Sequence, residues 1–215
     1  MGSGIGPDSV LVVIDVQPDF MPGGKLAVPD GDAVLPAINR LLDGRFPTAV
    51  ATQDWHPPGH VSFASAHAGR MPFETIALPY GPQTLWPDHA MAGTAGAALH
   101  PALDQRRLRA ILRKGMNPAL DSYSALFEND RHTPTGLAGF LAGIGARHLF
   151  LCGLALDFCV ALSAEDALRL GYAVTVIADA SRAIALPHPE GGSTLTAARA
   201  RLSAAGARLV PAGAL

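Results

Sequence analysis

What most limits the fold of this chain is a rhythm of short, nearly unbroken apolar runs separated by longer amphipathic ones. The runs are SVLVVID (9–15), TAVAT (48–52), RAILR (109–113), HLFLC (148–152), AVTVIA (173–178) and ARLV (207–210). A strand covered on both faces has no polar side to present, so its sequence does not alternate, and parallel sheets are built from such strands. Between the runs, residues 31–43, 134–144, 158–170 and 193–205 carry alanine and leucine at a period near 3.6, as expected of helices with one buried stripe. The alternation predicts an α/β fold: a three-layer α/β/α, doubly wound, mainly parallel six-stranded sheet of Rossmann-like form with right-handed crossovers.

A length of 215 residues suits one domain over 1–215, with residues 1–8 expected to form a flexible N-terminus. Hydrophobic residues make up 49% and charged residues 16%, enough to bury a core without disulfides or structural metal. A net charge of −2 gives no field suited to nucleic acid or an anionic membrane. No run approaches the roughly 18 apolar residues that span a bilayer. The start, MGSGIGPDSV, lacks the basic and apolar regions of a signal peptide, and Gly6 stands where a myristoylation motif needs Ser or Thr. The two cysteines, Cys152 and Cys159, make no disulfide framework and fit a reducing compartment. A soluble cytoplasmic protein is expected.

Residues 53–101 break the rhythm with Pro, His and Gly, and so long an irregular segment in a compact domain is usually functional. Ligands of open parallel sheets sit beyond the carboxyl ends of the strands. Asp15 ends the first run, Asp54, His56 and His60 follow the second, Lys114 leaves the third, and Cys159 follows the fourth at an expected helix start. Each alone has a plain alternative: a turn aspartate, a solvated lysine, a small buried thiol. Together they converge on one sheet edge. A thiolate is the nucleophilic form of cysteine, and a helix N-terminus or a nearby ammonium would stabilise it, while a carboxylate could take its proton. Cys152 lies inside an apolar strand and reads as packing; the C-x₆-C spacing matches neither redox nor zinc motifs.

In the irregular segment, DWHPPGH supplies Asp54, His56 and His60, and WPDH supplies His89. Oxygen and imidazole donors of this kind suit zinc, manganese or iron, and equally describe scattered surface polar groups. His67, His100, His132, His148 and His188 show no such grouping. PGGKL lacks phosphate-loop spacing and no G-x-G-x-x-G opens a helix, so no nucleotide cofactor is expected.

In order, VLVVIDVQPDFMPGGKLAV, TQDWHPPGHVSFASAH, LWPDHAMAGTAGAALHP, KGMNPALDSYSALF and LCGLALDFCVALSAEDALRLGY resemble the nicotinamidase (pyrazinamidase) branch of the isochorismatase-like cysteine hydrolases. The resemblance implies a triad of Asp15, Lys114 and Cys159. It implies one divalent metal ion, zinc first and manganese or iron next, on Asp54, His56 and His89. His60 would be a further ligand or stand behind them. It places a non-proline cis peptide at Leu154–Ala155, an oxyanion hole at the N–H groups of Ala155 and Cys159, and Phe20 and Trp86 around the substrate ring. The implied reaction hydrolyses nicotinamide, and pyrazinamide with it, to the acid and ammonia in NAD salvage; a homo-oligomer is left open. Ala90, Leu156 and Phe158 stand where the family often has Cys, Thr and His or Tyr, so pocket shape and rate can differ. The rival readings are a sister cysteine amidohydrolase of the same fold acting on another small amide, a non-catalytic metal- or nucleotide-binding module, and a redox protein. The second leaves Cys159 beside Lys114 unexplained, and the third lacks a resolving cysteine.

Overall fold

β1 (Ser9–Ile14) reads SVLVVI, and every one of its residues is buried. The same holds for all but the first residue of β2 (Thr48–Asp54) and β6 (His148–Leu154). The computed structural model, which describes residues 4–189 and 191–215, therefore places these three at the centre of a sheet. Its order is β5-β2-β1-β6-β7-β8, with β5 (Leu108–Lys114), β7 (Ala173–Arg182) and β8 (Arg208–Val210) outside them. All five pairings are parallel.

The pleat sends successive side chains to opposite faces. Leu11, Val13, Ala51, Phe150 and Cys152 pack on one face against Leu35, Ile38 and Leu41 of α1 (Leu35–Leu42). Val10, Val12, Val50, Leu149 and Leu151 pack on the other. There they meet Leu137 and Leu141 of α2 (Leu137–Gly143), Ala161 and Ala164 of α3 (Ala161–Arg169), and Ala198 and Leu202 of α4 (Thr194–Ala204). Burying each such Val or Leu is worth roughly 1.5–3 kcal/mol, so two continuous cores hold the three layers together. The α/β/α sheet fold expected from the apolar rhythm is the one observed.

Several boundaries differ from the sequence pattern. The helix expected over 31–43 is a 3₁₀ turn, Gly31–Val34, followed by α1. The helix expected over 158–170 is a π turn, Leu156–Val160, followed by α3. β7 runs on to Arg182, because residues between Val176 and Ser181 bulge out while β6 advances only from Leu151 to Gly153. Inside the irregular segment lies an antiparallel hairpin, β3 (Thr75–Leu78) and β4 (Gly81–Thr84). Its strands are four residues long, one holds a proline, and β3 is half exposed, so no apolar run marked it.

Near the N-terminus, residues 1–3 lie outside the described residues. Ile5 packs against the α1-side core, and Asp8 O accepts from the N–H of Arg147 at 3.0 Å. No helix among the described residues is long and apolar enough to cross a membrane.

Candidate active site

Sheet order reverses at the β1/β6 boundary, and the residues beyond these strand ends form the site. Asp15 follows β1 with φ +49, a left-handed backbone that aspartate tolerates better than most residues. Thr52 of β2 steadies it: its hydroxyl donates to Asp15 Oδ1 at 2.7 Å and accepts from Asp15 N–H at 3.3 Å. Asp54 and Lys114 are register partners at the ends of β2 and β5, so both side chains leave the sheet on the same side. The Lys114 ammonium lies 2.5 Å from Asp54 Oδ1, 2.8 Å from Ser122 O, 2.9 Å from Asp15 Oδ2 and 3.6 Å from Cys159 Sγ. Sγ and one carboxylate oxygen each of Asp15 and Asp54 all lie within 4.8 Å of one another. Lys114 is 2% exposed and Asp15 fully buried.

In so dry a place, charges act strongly on one another. Burial raises the Asp15 carboxyl to about 6, against the pull of Lys114. Burial would raise Asp54 too, but Lys114 and His56 outweigh it and hold Asp54 well below the usual carboxylate range. Burial alone would lower the Lys114 ammonium, yet Asp15 and Asp54 hold it well above its ordinary value. Cys159 corrects the expectation of a stabilised thiolate. Burial pushes its thiol well up, and with Asp15 and Asp54 beside it the pull of Lys114 does not offset that burial. The resting group is a thiol beside a basic carboxylate. Nor does Cys159 begin an α-helix. It sits within the π turn, where Ala155 O accepts from Phe158 N–H and Val160 N–H at 3.1 Å each. The Leu154–Ala155 peptide just before the turn is cis.

Cys152, by contrast, is a core residue whose thiol burial raises, with Sγ 3.9 Å from Val12 O. Both cysteines are free.

Beside the Asp15–Lys114–Cys159 group, Asp54, His56 and His89 bring three donor atoms within 4.8 Å. Asp54 Oδ2 lies 3.5 Å from His56 Nε2 and 3.9 Å from His89 Nε2; donors of a tetrahedral site with bonds of about 2.1 Å stand roughly 3.4 Å apart. His56 Nδ1 is 2.9 Å from Gly115 O and His89 Nδ1 2.8 Å from Pro87 O. Each carbonyl can accept only from a protonated Nδ1, which leaves Nε2 as the ligating lone pair. Burial and His56 lower His89 to about 4, while at His56 burial is outweighed by Asp54, which raises it, so a cation here would take the place of the His56 proton. The donor set therefore fits a divalent cation of the zinc type. His60 falls into a different group, with His56 and Asp121. Its Nδ1 is 2.7 Å from Ser62 Oγ, and its ring centroid is 4.3 Å from that of His56.

A cleft of about 360 Å³ including its mouth opens onto these two groups. Asp54, His56, His89 and Cys159 form its polar end, and Phe20, Leu26, Trp86, Phe158 and Ile184 its apolar walls. Trp86 is held by its Nε1 donating to Tyr123 Oη at 2.9 Å and by the edge of Phe158, 5.0 Å between centroids. Phe20 packs against His89 at 5.5 Å. Every residue singled out in sequence for the triad and the trio of ligands is thus brought together.

Several residues that shape the site were not singled out. Gln17 bridges strand ends, donating to Asp54 O at 2.9 Å and accepting from Asp54 N–H at 2.8 Å. Asp19 Oδ2 accepts from Ala90 N–H at 2.7 Å, beside His89. Their spacing in DVQPDF, alternate polar residues straight after a strand, was the available signal. Tyr123 and Ile184 had none, since they reach the site through loops.

Comparison with known proteins agrees with this fold. The isochorismatase domain model matches residues 9–207. A nicotinamidase of Acinetobacter baylyi is 54% identical over 174 residues, 81% of each chain. The solved nicotinamidase/pyrazinamidase of Acinetobacter baumanii is 44% identical, with a TM-score of 0.93 over 97% of this chain and 98% of that one. A pyrazinamidase of Pyrococcus horikoshii, solved in complex with zinc, is 32% identical, with a TM-score of 0.74 over 95% and 99% of the two chains.

Proposed function

The chain belongs to the isochorismatase family, and on that footing we propose that it is a nicotinamidase, hydrolysing nicotinamide to nicotinate and ammonia, with pyrazinamide as a second substrate. Its relatives' identity and coverage support the activity. The observation that carries the mechanism is the buried contact of Lys114 with Asp15, Asp54 and Cys159 at the floor of an aromatic-walled cleft.

Asp15 takes the proton of the Cys159 thiol as sulfur attacks the amide carbon. A carboxyl held at about 6 is ionised near neutral pH yet basic enough to share that proton. The N–H groups of Ala155 and Cys159 receive the developing oxyanion. Asp15 then returns its proton to the amide nitrogen, ammonia leaves, and a thioester joins the acyl group to Cys159. Water, deprotonated by Asp15, cleaves the thioester and restores the thiol. Lys114 keeps Asp54 ionised throughout and favours the ionised form of Asp15 between its proton transfers. Asp54, His56 and His89 would hold a divalent ion, zinc by its donor chemistry, with His60 behind His56. When bound, the ion supplies a Lewis-acid contact for the ring nitrogen, and so orientation. Phe20 and Trp86 flank the ring. A cytoplasmic role in NAD salvage belongs to the same proposal.

Ammonia release from nicotinamide tests the reading. Wild type is expected to release it, and Cys159→Ala to lose at least about a thousandfold, as removal of a covalent nucleophile does. Full activity in Cys159→Ala sinks the mechanism, and release only from some other amide moves the chain to a sister activity.

A further inference from the structure

Two residues before Cys159, inside the same π turn, Asp157 is 4% exposed and points at neither the cleft nor the triad. Its carboxylate is instead met by the loop that follows β7 and by the first residue of α4. Oδ1 accepts from Ile184 N–H at 3.0 Å, and Oδ2 accepts from Ala185 N–H at 2.8 Å and from the Thr194 hydroxyl at 2.5 Å. Ala185 has φ +59, a left-handed conformation that alanine adopts only when its surroundings impose it. The neighbour it turns, Ile184, is half-buried and forms part of the cleft wall.

Three bonds from one buried carboxylate thus fasten the nucleophile's turn to the residue that faces the substrate ring from another element. Leu186 O accepts from Thr194 N–H at 2.9 Å and so anchors the far end of the loop, while the Ile184 and Ala185 N–H groups beside the cleft are met by the Asp157 side chain. We infer that Asp157 is a positioning residue: its carboxylate tethers the 183–186 loop so that Ile184 closes the ring slot over Cys159 and limits which carboxamides enter. The inference rests on the amidase reading above for its substrate, though the tether does not.

Asparagine at 157 keeps the shape but replaces one acceptor oxygen by an amide nitrogen that faces N–H or O–H donors. In Asp157→Asn the KM for nicotinamide should rise about tenfold with kcat changed less than about threefold, the pattern of lost ground-state fit. Its preference for nicotinamide over 5-methylnicotinamide should shrink, and Ile184→Ala should shrink it the same way. Hydrogen exchange at the Ile184 and Ala185 amides should be slow in wild type and at least about tenfold faster in Asp157→Asn. If Asp157→Asn does not fold, Thr194→Val removes one arm of the tether, and its KM, selectivity and exchange should shift in the same direction. An unchanged preference and KM in the folded variants, or an equal fall in kcat and kcat/KM, overturns the proposal. The exchange measurement needs no turnover. Wild type that releases no ammonia from nicotinamide while the exchange difference persists therefore defeats the amidase reading and leaves the tether standing.

Discussion

At the scale of the residue, the site is governed by one ammonium among three acids. Lys114 carries a single positive charge, while Asp15 and Asp54 compete for it and the Cys159 thiol sits at 3.6 Å. Asp54 wins the shorter contact and stays fully ionised; Asp15, drier and less well paired, rises to about 6. With the folded value above the ordinary 3.8, Asp15 is protonated, and useless as a base, below that pH. The acidic limb of kcat/KM should therefore fall with unit slope as pH drops through about 6, and a flat profile down to pH 4.5 would exclude Asp15 as the base. Lys114→Met should cost about 3–5 kcal/mol of stability in urea denaturation, because it leaves the buried Asp15 without a counter-charge and Asp54 without its shortest contact. The residue types and their places at strand ends were legible in the sequence. The balance of charge was not, since it depends on distances and dryness.

At the scale of the element, the strand ends aim the chemistry and the turns after them fix it. β5 delivers Lys114 and then turns at Gly115 with φ +65; a Cβ there would lie 2.4 Å from the His56 ring. Only glycine lets the His56 Nδ1 reach that carbonyl. Gly115→Ala should therefore lower metal affinity about 10–100-fold, the usual loss when a partner orienting a ligand is disturbed, as read by competition with a chromophoric chelator; retention of wild-type affinity would refute that role. β6 makes a comparable demand at Gly153, φ +117, where a Cβ would lie 2.1 Å from Ile14 O. The sheet strands were visible because burial on both faces removes polar residues from their sequence. The β3–β4 hairpin, the β7 bulge and the π turn were not, because their geometry follows from neighbours rather than from any local period.

At the scale of the whole molecule, two cores on either side of the sheet stand independently of the metal group. Chelation should therefore leave far-UV circular dichroism unchanged, lower Tm by a few degrees through loss of a ligand bound to the native state, and weaken nicotinamide binding. Global unfolding on chelation would show the metal to be structural instead. The sequence alone determined the α/β class, the central strands and the placing of Asp15, Lys114 and Cys159 after strands, because apolar runs and strand ends are local signals; the triad and the Asp54, His56 and His89 trio were implied by the family resemblance. Only the tertiary structure decided that these groups meet, that His60 lies beside His56 and Asp121, and that Asp157 accepts hydrogen bonds from a loop far along the chain. A parallel sheet joins residues a hundred positions apart, and charge and hydrogen bonding act through the distances such packing creates.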